Sequence, residues 1–197
     1  MRSRDDLHYR PFMATFSADH VVYDAAVEGV FLRGLVGMIT PSLSSKLRAL
    51  GLDLDQKLRP TYPREAWTRM LEVTVAELFP GVSRDEGFRR LGEKAVKGIG
   101  YTMIGKVLVQ MAKLMGPRRS LLRLPQVFTS VNNFMKMELH EVEPNHFLVH
   151  VDQTYGHPAY VLGAMQAAMS LAEAKELQVN LLDWTAQKVS VDVKWAA

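Results

Sequence analysis

The chain has 197 residues, 48% hydrophobic and 23% charged, with no cysteine and a net charge of +3. This composition excludes a disordered or collagen-like chain and predicts a single domain. The missing thiols exclude a disulfide framework, thiolate zinc sites and cysteine nucleophiles. The opening MRSRDDLHYR leads into no apolar run, so it is not read as a secretory signal. No transmembrane segment is expected, because no stretch approaches the roughly 20 apolar residues that span a bilayer, and the expected location is cytoplasmic.

The first twenty residues carry little pattern. Ala26, Val30, Phe31, Leu35 and Met38 fall near one face of a helix predicted over residues 23–39. Thr40 and Pro41 predict an N-cap and a first-turn proline for a short helix that Gly51 stops. A connector, LDLDQKLRPTYP, leads into a helix over residues 64–79, where Trp67, Met70, Leu71, Val75 and Leu78 recur at three and four. Ser83 and Glu86 fit a capping box that opens a helical region over residues 84–115. Its glycines, Gly92, Gly98, Gly100 and Gly105, each cost about 0.8–1 kcal/mol relative to alanine and need a reason. A break at residues 98–100 is expected, followed by a second helix over residues 101–115; close approach of another helix or a ligand is the alternative. Gly116-Pro117 ends that helix.

Beyond Pro125 the period changes. Residues 135–142 and 146–153 read as a hairpin about Glu143-Pro144-Asn145, and residues 158–176 as a helix. Residues 178–183 and 188–195 form a second hairpin, with Val189, Val191, Val193 and Trp195 on one face. Helices followed by segregated strands predict an α+β fold. A helical lobe (residues 21–133) packs on a four-stranded antiparallel sheet with a crossing helix (residues 134–197).

Charge is unevenly placed. From Phe88 to Arg123 there are nine bases and one acid, and from Phe134 to the end four bases and eight acids. Such a basic segment fits nucleic acid, anionic lipid or an acidic partner, or is a solvated helix face. Lys106, Lys113, Arg118 and Arg119 are the candidate partner-binding residues.

Catalytic chemistry is not legible. No histidine pair has zincin spacing, and no nucleophile elbow, phosphate loop or dinucleotide fingerprint occurs. His140, His146 and His150 share a predicted hairpin, but no metal site is expected from them. His157, beside Gly156 and Pro158 at a strand-to-helix junction, is the residue to test for acid–base work, or is part of a plain helix start. Asn133 would orient a ligand or cap a turn. Trp67, Tyr101 and Met111 would line a pocket or fill an ordinary core.

The ordered set Ala26-Val27-Glu28-Gly29, Leu52-Asp53-Leu54-Asp55, Tyr62-Pro63, Trp67, Leu78-Phe79-Pro80-Gly81, Arg90-Leu91-Gly92, Thr102-Met103-Ile104-Gly105, Gly116-Pro117-Arg118-Arg119, Asn132-Asn133 and Val193-Lys194-Trp195 resembles a paralogous family of unassigned activity expanded in myxobacteria. The segment from Phe147 to Trp195, with Pro158-Ala159-Tyr160-Val161-Leu162-Gly163 opening a helix, is also similar to a broader superfamily. That superfamily includes haem–nitric oxide binding domains, 4-vinyl-reductase-like domains and transport protein particle subunits. The resemblance implies an apolar cavity between helical lobe and sheet. It also implies a departure: the Tyr-x-Ser-x-Arg motif of the haem-binding branch is missing where residues 149–157 read VHVDQTYGH. No cofactor is therefore expected, and haem is disfavoured.

Taken together, these readings predict a non-enzymatic small-ligand-binding or sensory module. Its candidate ligand-binding residues are Trp67, Tyr101, Met111, Asn133, His157 and Tyr160. The partners expected are a small hydrophobic or amphipathic ligand, a second copy of the chain, and an acidic protein or polyanion. The alternative is a ligand-free interaction domain.

Overall fold

The computed structural model describes Ser17 and residues 19–154 and 156–196. Residues 1–16, which include MRSRDDLHYR, and Tyr155 lie outside that description, as do positions 18 and 197. The architecture is α+β, with a four-stranded antiparallel sheet in the order β3-β4-β6-β5, built from β3 (Lys136–Glu143), β4 (His146–Asp152), β5 (Gln178–Trp184) and β6 (Lys188–Lys194). Both predicted hairpins form. Phe147, Val149 and Val151 of β4 and Val189, Val191 and Val193 of β6 are fully buried on one sheet face, the period-two alternation that a half-covered sheet requires.

A small antiparallel pair was not anticipated. β1 (Val21–Tyr23) meets β2 (Thr61–Pro63), and the chain then enters α1 (Asp24–Val27) and a π-helical segment (Glu28–Gly34). The helix predicted over residues 23–39 therefore starts one residue later and stops at Gly34. α2 (Pro41–Ala49) is capped as predicted, Thr40 Oγ1 accepting from the Leu43 amide at 3.1 Å. α3 (Arg64–Leu78) buries Trp67, Met70, Leu71 and Val75. α4 (Arg84–Tyr101) is capped by Ser83, whose hydroxyl accepts from the Glu86 amide at 3.2 Å. The reciprocal half of the box is absent, because the Glu86 carboxylate is held by Arg89 and Arg90, which lower its pKa to about 2.

The break expected at residues 98–100 falls instead at Thr102, whose hydroxyl accepts from the Gly105 amide at 3.0 Å and starts α5 (Met103–Thr129). Gly98 lies inside α4 because the backbone of Gly29 and Gly34 passes over it, leaving no room for a Cβ. The other helix end falls where the sequence placed it: Gly116, at φ 74°, ψ 174°, leaves helical geometry, and Pro117 begins a second helical stretch, so that α5 is two helices joined at a kink and reaching Thr129. Glycine reaches that φ without steric cost, and proline suits a helix start.

α6 (Pro158–Leu171) crosses the sheet and packs on α4, joining the two lobes. Two glycines set this contact. A Cβ on Gly92 would strike the Tyr160 carbonyl, and a Cβ on Gly163 would strike the Arg89 carbonyl. The backbones thus approach as closely as small residues allow.

Candidate functional site

The seam where α4 and α5 meet α6 is hollow, but no strand residue among those described lines the space, so it lies among helices and not between helical lobe and sheet, where it was expected. A cavity of about 400 Å³ lies between the carboxyl end of α4, both halves of α5 and the end of α6. Val96, Ile99 and Gly100 come from α4, and Ala168 and Leu171 from α6. The first half of α5 adds Ile104, Leu108, Met111 and Met115. The second half, bent back by Gly116, adds Ser120, Arg123, Leu124, Gln126, Val127 and Ser130. Apolar walls thus face one wall that carries the hydroxyl, amide and guanidinium groups. Ser120 donates to the Ala112 carbonyl at 3.1 Å, tying the halves of α5 together across the bend.

Of the six candidate ligand residues, only Met111 lines this cavity among the described residues. Trp67 is core, meeting Phe31 edge-on at 5.9 Å. Tyr101, at the end of α4, is 65% exposed. Tyr160, on α6, packs on the core where the α4 backbone crosses it. Asn133 ties down β1, its side-chain oxygen accepting from the Val21 amide at 2.9 Å and its amide donating to the Asp19 carbonyl at 2.7 Å. His157 is buried against Phe88, its Nε2 lying 3.5 Å from a Glu72 carboxylate oxygen. Burial, with the nearby Arg84, lowers its pKa against the opposing pull of Glu72 and Asp85. None of these five faces the hollow, because helical spacing assigns residues to a face without saying which neighbour covers it.

The candidate partner residues divide. Arg118 is committed to Glu141 of β3 through two hydrogen bonds of 2.9 and 2.8 Å, and Lys113 lies 3.4 Å from Glu173. Lys106 and Arg119 are exposed and make no ion pair among the described residues. His146 bonds to Asp192 at 2.7 Å and His150 to Ser190 at 2.9 Å. Among the described residues no three His, Asp or Glu side chains gather as a metal site, and no helix is long and apolar enough to cross a membrane.

Sequence reading passed over Arg64, the residue that fastens the seam at the opposite edge. Its buried guanidinium donates to the Thr154 carbonyl at 2.7 Å and to Gln153 Oε1 at 3.1 Å, and lies 4.8 Å from the Phe134 ring centroid. The signal available was faint: an arginine following Tyr62-Pro63 at a helix start, where an acid is preferred.

A helical lobe clasped to a four-stranded antiparallel sheet by one crossing helix, with a cavity at the seam, defines an α+β domain of the H-NOX architecture. An oxygen-binding H-NOX domain related to soluble guanylate cyclases matches with a TM-score of 0.58 and 14% identity, covering 88% of this chain and 95% of its own. The Fe(II) unliganded H-NOX protein from K. algicida matches with a TM-score of 0.62 and 12% identity over 88% and 95%. A structure described as "Modulating Heme Redox Potential Through Protein-Induced Porphyrin Distortion" matches at 0.56 and 14% over 87% and 99%. Residues 20–196 match the family described as "Protein of unknown function (DUF2378)", and the chain belongs to that family. No curated protein matches the chain.

These findings correct one expectation. Haem was disfavoured, and no cofactor expected, because the Tyr-x-Ser-x-Arg motif is missing; yet the architecture matched over nearly the whole chain is that of solved haem proteins. A missing carboxylate-binding motif does not decide the matter, because haem is also held by other axial ligands and other cations. The donor set in the cavity suits such a group: Met111 and Met115 bring thioethers, Arg123 a guanidinium, and the remaining walls are chiefly apolar.

Proposed function

We propose that this chain is a cytoplasmic ligand-binding or sensory module that holds a small hydrophobic or amphipathic guest in the seam cavity and catalyses no reaction. The observation that carries the reading is the cavity itself: about 400 Å³, apolar on most sides, with Ser120, Arg123, Gln126 and Ser130 grouped along one wall. That size and polarity are those of small-molecule sites, where apolar walls supply affinity and a few polar groups fix orientation. Each Å² of apolar guest surface removed from water contributes about 25 cal/mol.

Haem is the first guest to test, since a solved structure of the same architecture is described by its haem redox potential. Haem supplies gas-binding or electron-transfer chemistry when bound. In this chain Met111 or Met115 would offer a thioether to hold it, Arg123 would pair with a carboxylate, and Val96, Ile99 and Leu171 would exclude water. The edge strands β3 and β5 are unpaired on their outer sides among the described residues, which supports self-association.

Native mass spectrometry of the protein purified from cells tests the reading, with titration of haem into the purified chain followed at the Soret band. A stoichiometric added mass or a saturable Soret shift is expected, and Met111→Leu plus Met115→Leu should weaken a haem signal. Bare protein in the first measurement, with no saturable binding of haem or of a fluorescent apolar dye in the second, would leave the ligand-free interaction domain as the better description.

A further inference from the structure

The outer side of α5 carries a pattern that the cavity does not use. Met103 and Leu114 are each 88% exposed and Val107 58%, although all three are apolar. At 3.6 residues per turn they fall within an arc of roughly 40° on the helix. Lys106 and Lys113 lie along one flank of this stripe, and Tyr101 stands exposed beside its start. A stripe of this kind is costly to leave in water and marks a docking face.

Charge selects what docks there. From Lys94 to Met137 the chain carries eight bases and no acid. Lys106, Arg119 and Arg123 make no ion pair among the described residues. A second copy meeting this face about a twofold axis would bring Lys106 near basic counterparts, and the one acid seen at the stripe among the described residues, Glu173, already lies 3.4 Å from Lys113 of its own chain. A head-to-tail copy offering its acidic sheet lobe would leave an open, growing chain rather than a closed assembly. An anionic lipid surface answers both features: the acyl boundary takes Met103, Val107 and Leu114, and the headgroups take the lysines, whose stems lie along the apolar stripe. An exposed tyrosine at the end of such a helix sits well at the headgroup level.

We propose that the first half of α5 docks this protein on an anionic membrane surface, with Met103, Val107 and Leu114 buried in the interface and Lys106 and Lys113 on the headgroups. The proposal stands apart from the guest in the cavity, since Met103 and Leu114 do not line it.

Cosedimentation of the full chain with vesicles of phosphatidylcholine alone, or with one-third phosphatidylglycerol, tests the proposal. Binding to the anionic vesicles should be at least tenfold stronger and should weaken in 0.5 M salt. Each lysine near a charged surface is worth about fivefold, so Lys106→Glu plus Lys113→Glu should weaken binding about 25-fold or more. Met103→Asp plus Leu114→Asp should abolish it, while circular dichroism and the added guest mass stay as in the parent. Equal sedimentation with both vesicle types, no sedimentation, or binding unchanged in the aspartate pair overturns the proposal. So does an aspartate pair that turns an oligomer into a monomer while the parent ignores vesicles, which assigns the face to a second copy, or a parent that binds a DNA oligonucleotide more tightly than the vesicles.

Discussion

The imidazole of His157 lies flat on the phenyl ring of Phe88, with centroids 3.7 Å apart and planes 11° from parallel. Phe88 belongs to α4 and His157 immediately precedes α6, so this stack closes the lobes at one end as Gly92 and Gly163 close them along the helices.

Acid should loosen that end. Burial holds the folded-state pKa of His157 below its ordinary 6.5, so the unfolded chain binds the proton first as pH falls. The stability contributed by the neutral ring is complete above about pH 6.5 and is lost progressively below it. The melting temperature should drop between pH 7.5 and 5.5, and His157→Phe, which keeps a flat ring but no proton site, should drop less. Parallel curves for parent and variant would show that His157 is not the group responsible.

The glycine contact between α4 and α6 gives a second expectation. A methyl at Gly163 meets the Arg89 backbone, which cannot swing aside like a flexible side chain. Gly163→Ala should cost about 2–3 kcal/mol, a fall of roughly 5–10 °C in Tm. Gly81→Ala, where nothing lies within 4 Å, is the control and should be nearly neutral. Similar melting temperatures for both variants would mean the helices are not in the contact described.

Arg64 should behave as a seam fastener. Arg64→Met keeps most of the buried stem and removes the bonds to Thr154 and Gln153. Hydrogen bonds from charged donors are worth about 1.5–3 kcal/mol each, so losing the two should cost about 3–6 kcal/mol in urea unfolding. Arg64→Lys should recover only part of it, because an ammonium lacks the planar fork.

Ala168 looks into the cavity from α6. Ala168→Phe should fill space otherwise left to a guest. The added mass in native spectra should disappear and saturable dye or haem binding should fall at least tenfold, while the guest-free protein melts no lower than the parent. Retained binding would place the guest elsewhere.

Much of the fold was legible in the residues. Alternation marked β4 and β6, spacings of three and four marked α3, and Thr40 and Ser83 marked the starts of α2 and α4, because each signal is local and each element buries the face that its pattern declares. Family membership was legible too, in short segments spread from Ala26 to Trp195.

What depended on distant partners was not legible. Gly98 looked like a helix breaker until the backbone of Gly29 and Gly34 was seen crossing it, and Gly116-Pro117, correctly read as a terminus, gave no sign that the stretch beyond it turns back to wall the same hollow. Five of the six candidate ligand residues turned out to be core, surface or struts for the same reason: periodicity tells which side chains share a face, and only packing tells what the face meets. The sequence by itself determined the α+β class, the order of the elements and the family. The tertiary structure alone decided where space remains between them, since a cavity is set by how far apart backbones from α4, α5 and α6 come to rest, and no local pattern carries that distance.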